Sequence, residues 1–303
     1  MNLATKERWR KRIVGFFRMV LLIGIAYVIL LPLIHRLSTA FMGVEDLYDQ
    51  SVRWIPRNPT FRNFRLMWEH MDYVRSFANS FFLATLTSVL QLLTCSMVGY
   101  GLARLEFPGS KVIFGLAVFT LVIPPQLIMV PSYLNFRFFD LLGILKNNPI
   151  NLTGSYWPFV LLAITGTGFR CGLYIFIMRQ FFKGMPRALE EAAYIDGAGL
   201  FTTFWRVMIP GAIPGLITTF LFSFVWQWND IFLTRMYIRG HVTMLPFMLE
   251  KLNQLFDSYG YSDQYISVII NTGMLMFMAP LLVFYGLLQR YFVESVERTG
   301  MVG

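Results

Sequence analysis

The chain has 303 residues, of which 56% are hydrophobic, 17% aromatic and only 14% charged. A soluble domain carries about a quarter charged residues, so this composition excludes an ordinary water-soluble protein. The formal net charge is +9, but the Lys and Arg residues stand at the ends of apolar blocks. They form no basic stripe with interleaved aromatic residues, which argues against a nucleic-acid-binding protein.

The apolar residues occur in blocks of about twenty, the length that an α-helix needs to cross a bilayer. They predict an all-α integral membrane protein of about six transmembrane helices. The predicted spans are roughly 13–34, 77–103, 112–134, 158–182, 211–233 and 265–292. The third span contains three prolines, Pro124, Pro125 and Pro131, which predict kinks. These kinks are either satisfied by packing against neighbouring helices or loosen the span for gating. A glycine cluster around Arg170 predicts that the fourth span is interrupted.

A basic cluster precedes the first apolar block and places the N-terminus in the cytoplasm; its members are Lys6, Arg8, Arg10, Lys11 and Arg12. An even number of spans returns the C-terminus to the same side. The block that begins at Ile13 is too long for a signal peptide, so we interpret it as an uncleaved first span. We expect a cytoplasmic tail at 1–12, a single transmembrane domain at 13–292 with a cytoplasmic loop at 183–210, and a cytoplasmic tail at 293–303.

The cytoplasmic loop contains a short predicted helix with marked ends. Pro186 suits the first helical turn, where its missing N–H has no hydrogen bond to lose. Glu190 and Glu191 are acids early in the helix, where the helix dipole favours negative charge. Gly197 or Gly199 supplies the left-handed residue that ends the helix. A second short segment, 201–208, leads back to the membrane, so the loop predicts a compact helix–turn–helix that needs a docking surface.

The same loop resembles the EAA loop of binding-protein-dependent ABC importer permeases, whose pattern is EAA-x3-G-x9-I-x-LP. The matching residues are Glu191, Ala192, Ala193, Asp196, Gly197, Val207, Ile209 and Pro210, with Val207 and Ile209 in place of the usual Ile and Leu. Segments 55–64, 123–131, 176–182, 228–230 and 289–293 are also similar to this family, closest to its six-span, maltose-type carbohydrate branch. Ser295 departs from the family pattern, because Gly is frequent at that position.

The resemblance implies a bacterial cell (inner) membrane protein, surrounded by lipid, that works in an assembly. Its expected partners are a second, different permease subunit, two ATP-binding subunits and an extracytoplasmic solute-binding protein. The residues implied to couple the permease to the ATPase are Glu191, Ala192, Ala193, Asp196, Gly197 and Pro210. This chain has no G-x-x-x-x-G-K-[ST] loop, so ATP hydrolysis is expected from a partner. We expect no catalytic, cofactor-binding or metal-binding residues and no enzyme activity in this subunit.

Four residues are candidates for the solute pathway: Arg170, Trp228, Asn229 and Asp230. A charge in the middle of a span is costly, so Arg170 is expected to face a partner or a cavity. In one hypothesis it pairs with an acid such as Asp230. In the other it faces the pathway and attracts an anionic saccharide. Trp228, Asn229 and Asp230 are either an interfacial anchor with polar partners or groups that contact a sugar.

The resemblance implies transport of a sugar or oligosaccharide. The same machinery could instead carry another polar solute, such as a polyol or a glycerol phosphoester. A secondary transporter driven by an ion gradient is the alternative from a different class. Such transporters often contain two inverted repeats, and no repeat is evident in this sequence.

Overall fold

The computed structural model describes residues 3–140, 143–144, 147–258 and 260–300, so residues 1–2 and 301–303 of the predicted tails lie outside it. The helices are α1 (Leu3–Ala40), α2 (Val44–Tyr48), α3 (Arg62–His70), α4 (Tyr73–Arg104), α5 (Ser110–Phe119), α6 (Pro125–Arg137), α7 (Trp157–Ile164), α8 (Cys171–Gly184), α9 (Ala188–Ile195), α10 (Leu200–Thr203), a π-helical turn (Phe204–Met208), α11 (Ile209–Gly211), α12 (Ile213–Asn229), α13 (Phe232–Ile238), α14 (Leu245–Ser258) and α15 (Asp263–Gly300). The predicted all-α membrane fold is confirmed.

Three helices in the described part of the chain are long and apolar enough to cross a membrane: Trp9–Ala40, Tyr73–Arg104 and Asp263–Gln289. They correspond to the predicted first, second and sixth spans. The predicted fifth span lies in α12, which has 17 residues and stands at an angle of 81° to the preceding helical segment Leu200–Gly211. α15 continues beyond the predicted end of the sixth span, as far as Gly300.

The predicted third span is not one continuous helix. α5 ends at Phe119 and α6 begins at Pro125, with Pro124 in an extended conformation. A residue that precedes a proline is pushed out of the helical region, so the Pro124-Pro125 pair breaks the span. Pro131 lies inside α6. The prolines therefore separate two short helices instead of bending a single one.

The predicted fourth span is interrupted, as its glycine cluster indicated. α7 ends at Ile164 and α8 begins at Cys171. Gly166 has a φ of 68°, and Arg170, the residue directly before α8, has a φ of 66°. A left-handed conformation is costly for any residue with a Cβ atom, so Arg170 holds a strained backbone at the start of α8.

By contact, the chain divides into two compact units, 1–71 with 249–278 and 72–248 with 279–303. In the first unit the buried side chain of Asn63 joins three segments. Its Nδ2 donates to the carbonyl oxygens of Ala40 and Met42, at 3.0 and 2.9 Å, and its Oδ1 accepts a hydrogen bond from the Tyr265 hydroxyl at 3.1 Å. The amide is thereby satisfied without water, as a buried polar group requires.

In the second unit α4 is the central helix, and it packs against α7, α8 and α12. Gly99 allows α4 to approach α8 closely: a Cβ atom added there would lie 2.8 Å from Met178 Cβ and 3.0 Å from Arg179 N. Polar side chains line the buried side of α4, and one of them, Gln91, accepts a hydrogen bond from Ser223 of α12 at 2.6 Å. The helix thus combines tight backbone packing at one end with a polar seam in the middle.

Candidate functional site

The loop at 183–210 forms the predicted helix–turn–helix. α9 begins at Ala188, two residues after Pro186, and ends in a Schellman motif at Gly197, which has a φ of 79°. The N–H of Ala198 donates to the carbonyl of Ala193, and the N–H of Gly197 donates to that of Tyr194. Gly197, and not Gly199, is therefore the residue that ends the helix. The chain then re-enters helical structure at Leu200.

The second half of the loop leads back toward α12. α10 continues through the π-helical turn into α11, where Pro210 lies in the first turn and is exposed. Proline is well tolerated in a first helical turn because its nitrogen has no hydrogen to donate. The chain therefore turns by 81° into α12 without leaving a backbone donor unsatisfied at Pro210.

The outer side of the loop carries large apolar side chains in contact with solvent. Ile195 is 86% exposed and Phe201 68% exposed, and Leu189, Tyr194 and Leu200 are also exposed. We call the exposed side chains of α9 and α10 the loop surface. Large apolar side chains exposed together on a short loop are typical of a protein–protein contact. Among the resemblance-derived residues, Glu191, Ala192, Asp196 and Gly197 are exposed, whereas Ala193 is buried.

The neighbouring carboxylate, Glu190, points the other way. Its side chain is 9% exposed, and its Oε2 lies 3.2 Å from Nε of Arg104, whose side chain is 6% exposed. The Tyr100 hydroxyl donates to Glu190 Oε1 at 2.9 Å, and Arg104 also donates to the Met185 carbonyl. These groups form a buried polar network, which we call the latch, between the end of α4 and the loop.

The sequence interpretation singled out Glu191 and missed the latch. The signal that could have found it is the spacing of Tyr100 and Arg104, which are four residues apart and so share one face of the second span. Likewise Glu190 and Ala193 are three residues apart, and both are buried. These spacings place Tyr100 and Arg104 on one polar face at the end of α4, and they place Glu190 on the buried side of α9, where an acid needs a polar partner.

Arg170 lies at the break between α7 and α8. Its guanidinium carbon is 3.2 Å from the centre of a Trp226 ring and 4.8 Å from that of Phe169. No described carboxylate lies within ion-pairing distance of it. The hypothesis of an ion pair with Asp230 is therefore wrong for this structure: the cation is held by aromatic rings, an interaction that strengthens when water is excluded.

Asp230 instead caps the next helix. Its carboxylate accepts hydrogen bonds from the N–H of Leu233 at 3.2 Å and of Thr234 at 2.7 Å, at the start of α13, where the helix dipole favours a negative charge. Trp228 is 2% exposed and lies among aromatic rings, 5.9 Å from both Phe77 and Phe224. These two pathway candidates thus have structural contacts.

Asn229 is exposed, and its Nδ2 donates to the Val225 carbonyl at 2.7 Å. Trp226 and Phe169 are also exposed, at 41% and 38%. Of the four pathway candidates, Asn229 is exposed and Arg170 is half-buried, and the structure adds the two aromatic rings next to Arg170.

Gln91, Ser223, Trp226 and Asp230 line a cavity of about 30 Å³ together with nine other residues. That volume holds one or two water molecules. The cavity is too small for a sugar, so any solute path through this unit requires the helices around it to move.

Comparison with known proteins identifies the fold and the family. Residues 95–298 match the family described as binding-protein-dependent transport system inner membrane component. An osmoprotective compounds uptake permease of Synechocystis is 31% identical over 73% of this chain and 68% of its own length. A melibiose/raffinose/stachyose import permease of Bacillus subtilis is 28% identical over 84% of this chain and 86% of its own length.

The fold is similar to that of a chain in the crystal structure of a bacterial ABC transporter involved in the import of the acidic polysaccharide alginate. The TM-score is 0.74, and the match covers 93% of this chain and 98% of the other. The two sequences are 23% identical, so this likeness concerns the fold.

Proposed function

This chain belongs to the family of inner-membrane components of binding-protein-dependent transport systems, and from that premise we propose that it is the permease subunit of an ABC importer for a sugar or oligosaccharide. The observation that carries the proposal is the loop surface. It is a short helix with a defined end, held to a membrane helix on one side and exposing apolar side chains on the other. Such a surface suits a partner that docks on it.

The partner that the proposal requires is a separate ATPase. In this account Glu191, Ala192, Asp196, Gly197 and Pro210 act on or next to the loop surface, and Ala193 packs α9 against its own subunit. The assembly contains a second, different permease, two ATP-binding subunits and a solute-binding protein outside the membrane. Both termini lie in the cytoplasm of a bacterial cell, with the transmembrane domain at 13–292. The exposure of the apolar α1 helix, whose most apolar 18-residue stretch contains no buried residue, supports contact with lipid or with the second permease.

A carbohydrate as the transported solute is supported by the names of relatives, one of which imports melibiose, raffinose and stachyose. The exposed rings of Phe169 and Trp226 and the exposed amide of Asn229 fit the same solute, because sugars present both apolar faces and hydroxyl groups. Another relative takes up osmoprotective compounds, so a polyol or a glycerol phosphoester is the alternative for the same machinery.

The test is uptake into proteoliposomes that contain the assembled transporter, with the binding protein outside and no proton or sodium gradient. The probes are melibiose, raffinose, sorbitol and glycerol 3-phosphate, each radiolabelled. We expect ATP inside the vesicles to drive uptake of one of the two sugars and ADP to drive none. Uptake that needs an ion gradient and is indifferent to ATP would establish secondary transport instead. ATP-driven uptake of sorbitol or glycerol 3-phosphate alone would replace the carbohydrate by that class.

For Arg170 we propose the pathway role, since its guanidinium is held by rings and not by a described acid. Arg170→Gln removes the charge and is expected to lower uptake of digalacturonate at least about tenfold relative to melibiose, because a hydrogen bond to a charged group contributes about 1.5–3 kcal/mol. Arg170→Lys keeps the charge and serves as the control. Equal retention of both sugars by Arg170→Gln would contradict the role.

A further inference from the structure

We propose that the latch formed by Arg104, Glu190 and Tyr100 is the element that holds α9 in position and carries its displacement into α4. The proposal rests on the proposed function, since it presupposes that a partner moves α9. It adds the specific residues through which the motion enters the membrane. Glu190 acts here as a positioning residue: it touches neither solute nor ATP.

The geometry of the latch ties together three parts of the chain. Arg104 lies in the last turn of α4 and Glu190 in the first turn of α9. Their charged atoms are 3.2 Å apart, and Arg104 also reaches the Met185 carbonyl in the segment between α8 and α9. A basic residue at a helix C-terminus and an acidic one at a helix N-terminus each suit the dipole of their own helix. Each charge is therefore stabilised by the dipole of its own helix, in addition to its interaction with the other charge.

Burial distinguishes this pair from the other ion pair between the same two regions. Arg187, directly before α9, lies 3.7 Å from Glu106, two residues after α4, but their side chains are 73% and 89% exposed. An exposed pair of this kind contributes little. A buried pair with one partner removed leaves a charge without compensation in a dry environment, and this is strongly unfavourable. Of these two pairs, the latch therefore resists separation of α9 from α4.

α4 is suited to receive the motion. It packs against α8 so closely at Gly99 that no side chain fits between them, and well-packed helices move as bodies instead of deforming gradually. Gln91, which lines the small cavity, is 13 residues before Arg104 on the same helix. At 1.5 Å per residue this is about 20 Å, roughly half of the membrane. Because α4 moves as one body, a displacement of its end at the latch also displaces the polar seam at the middle of the helix.

The test measures whether α4 responds to the ATPase. In the complete transporter in proteoliposomes, Met97→Cys places a probe on α4, where Met97 is 45% exposed. The two native cysteines, Cys95 and Cys171, are buried and are replaced by serine. The rate of alkylation by N-ethylmaleimide is measured without nucleotide and after trapping with ATP and vanadate. With an intact latch, we expect the rate to differ between the two states.

Glu190→Gln is expected to reduce this difference about tenfold, within the range that substitutions along a coupling route produce, while the ATPase stays bound and hydrolyses ATP. Glu106→Gln is the matched control: it removes the exposed pair between the same regions and is expected to leave the difference unchanged. Tyr100→Phe keeps both charges and removes one hydrogen bond, so it is expected to reduce the difference about fivefold. If the transporter with Glu190→Gln does not assemble, the measurement is made on Tyr100→Phe instead.

Two results would overturn the proposal. One is a normal response of Met97→Cys in both Glu190→Gln and Tyr100→Phe, which would make the latch a structural contact only. The other is a transporter with an intact latch whose α4 does not respond to trapping. In both cases the ATPase is still retained by the membrane subunits, so the docking proposed above would survive. Loss of the ATPase from the unmodified transporter would refute the proposed function and the latch together.

Discussion

Gly197→Trp is expected to reduce solute uptake about tenfold or more, while solute capture by the binding protein outside the membrane persists. Gly197 has a φ of 79° at the end of α9. A residue with a Cβ atom in this conformation costs roughly 1–2 kcal/mol, and about 1.4 kcal/mol corresponds to a factor of ten in an equilibrium. The indole also stands out from the loop, because nothing lies within 4 Å of a Cβ atom built there. The indole side chain of the variant therefore extends toward the side of the loop where the partner is proposed to dock.

The matched control is Gly197→Asn. Asparagine accepts the left-handed conformation better than most residues, and its side chain is small and polar. We expect this variant to retain at least about half of the uptake, because the end of α9 keeps its geometry. Uptake and ATP hydrolysis should be measured on the same proteoliposomes. Normal uptake by Gly197→Trp would remove the main support for a coupling role of the loop.

Gly99→Ala is expected to destabilise the protein by about 1–3 kcal/mol, the usual cost of overpacking. The added Cβ atom would lie 2.8 Å from Met178 Cβ and 3.0 Å from a backbone nitrogen of α8. Neither atom belongs to the flexible end of a side chain, so α4 and α8 must separate. The measurement is thermal unfolding of the purified protein in detergent, followed by the loss of α-helical circular dichroism.

Gly101→Ala is the control for this prediction, since it makes the same change two residues along α4. A Cβ atom at Gly101 meets only Leu105 Cδ1, at 3.9 Å. Because alanine is a better helix former than glycine by about 1 kcal/mol, we expect Gly101→Ala to be neutral or stabilising. Equal effects of the two substitutions would show that α4 and α8 are not in close contact at Gly99.

Much of the architecture could be predicted from the sequence. Membrane helices must satisfy the hydrogen bonds of their own backbone, so they can be recognised as apolar segments long enough to cross the bilayer. The break before Arg170 and the helix end at Gly197 followed from local chemistry, namely glycines that adopt left-handed conformations. The break at Pro124-Pro125 had a local signal too, but the third span was nevertheless predicted as a single helix. The two short helices of this span are both apolar and close together in sequence, so hydropathy alone predicts one continuous helix.

The partners of the charged residues could not be predicted in the same way. Whether Glu190 or Glu191 is buried depends on how α9 is rotated relative to α4. The spacing of Tyr100 and Arg104 marks a polar face on α4, but it does not identify Glu190, 86 residues away from Arg104 in sequence, as the partner. For Arg170 the sequence leaves both an acidic partner and the pathway open. The structure shows its guanidinium stacked on Trp226, a contact that cannot be predicted without knowing that α8 and α12 are neighbours.

Purification of this chain from its native membrane in mild detergent, with mass spectrometry of the proteins that accompany it, decides whether it works in an ABC importer. We expect a second, different permease and an ATPase with a phosphate-binding loop. We also expect Gly197→Trp to weaken retention of the ATPase more than Gly197→Asn does. A chain that is purified alone and stably folded would contradict the account, and transport driven by an ion gradient would then be the explanation to test.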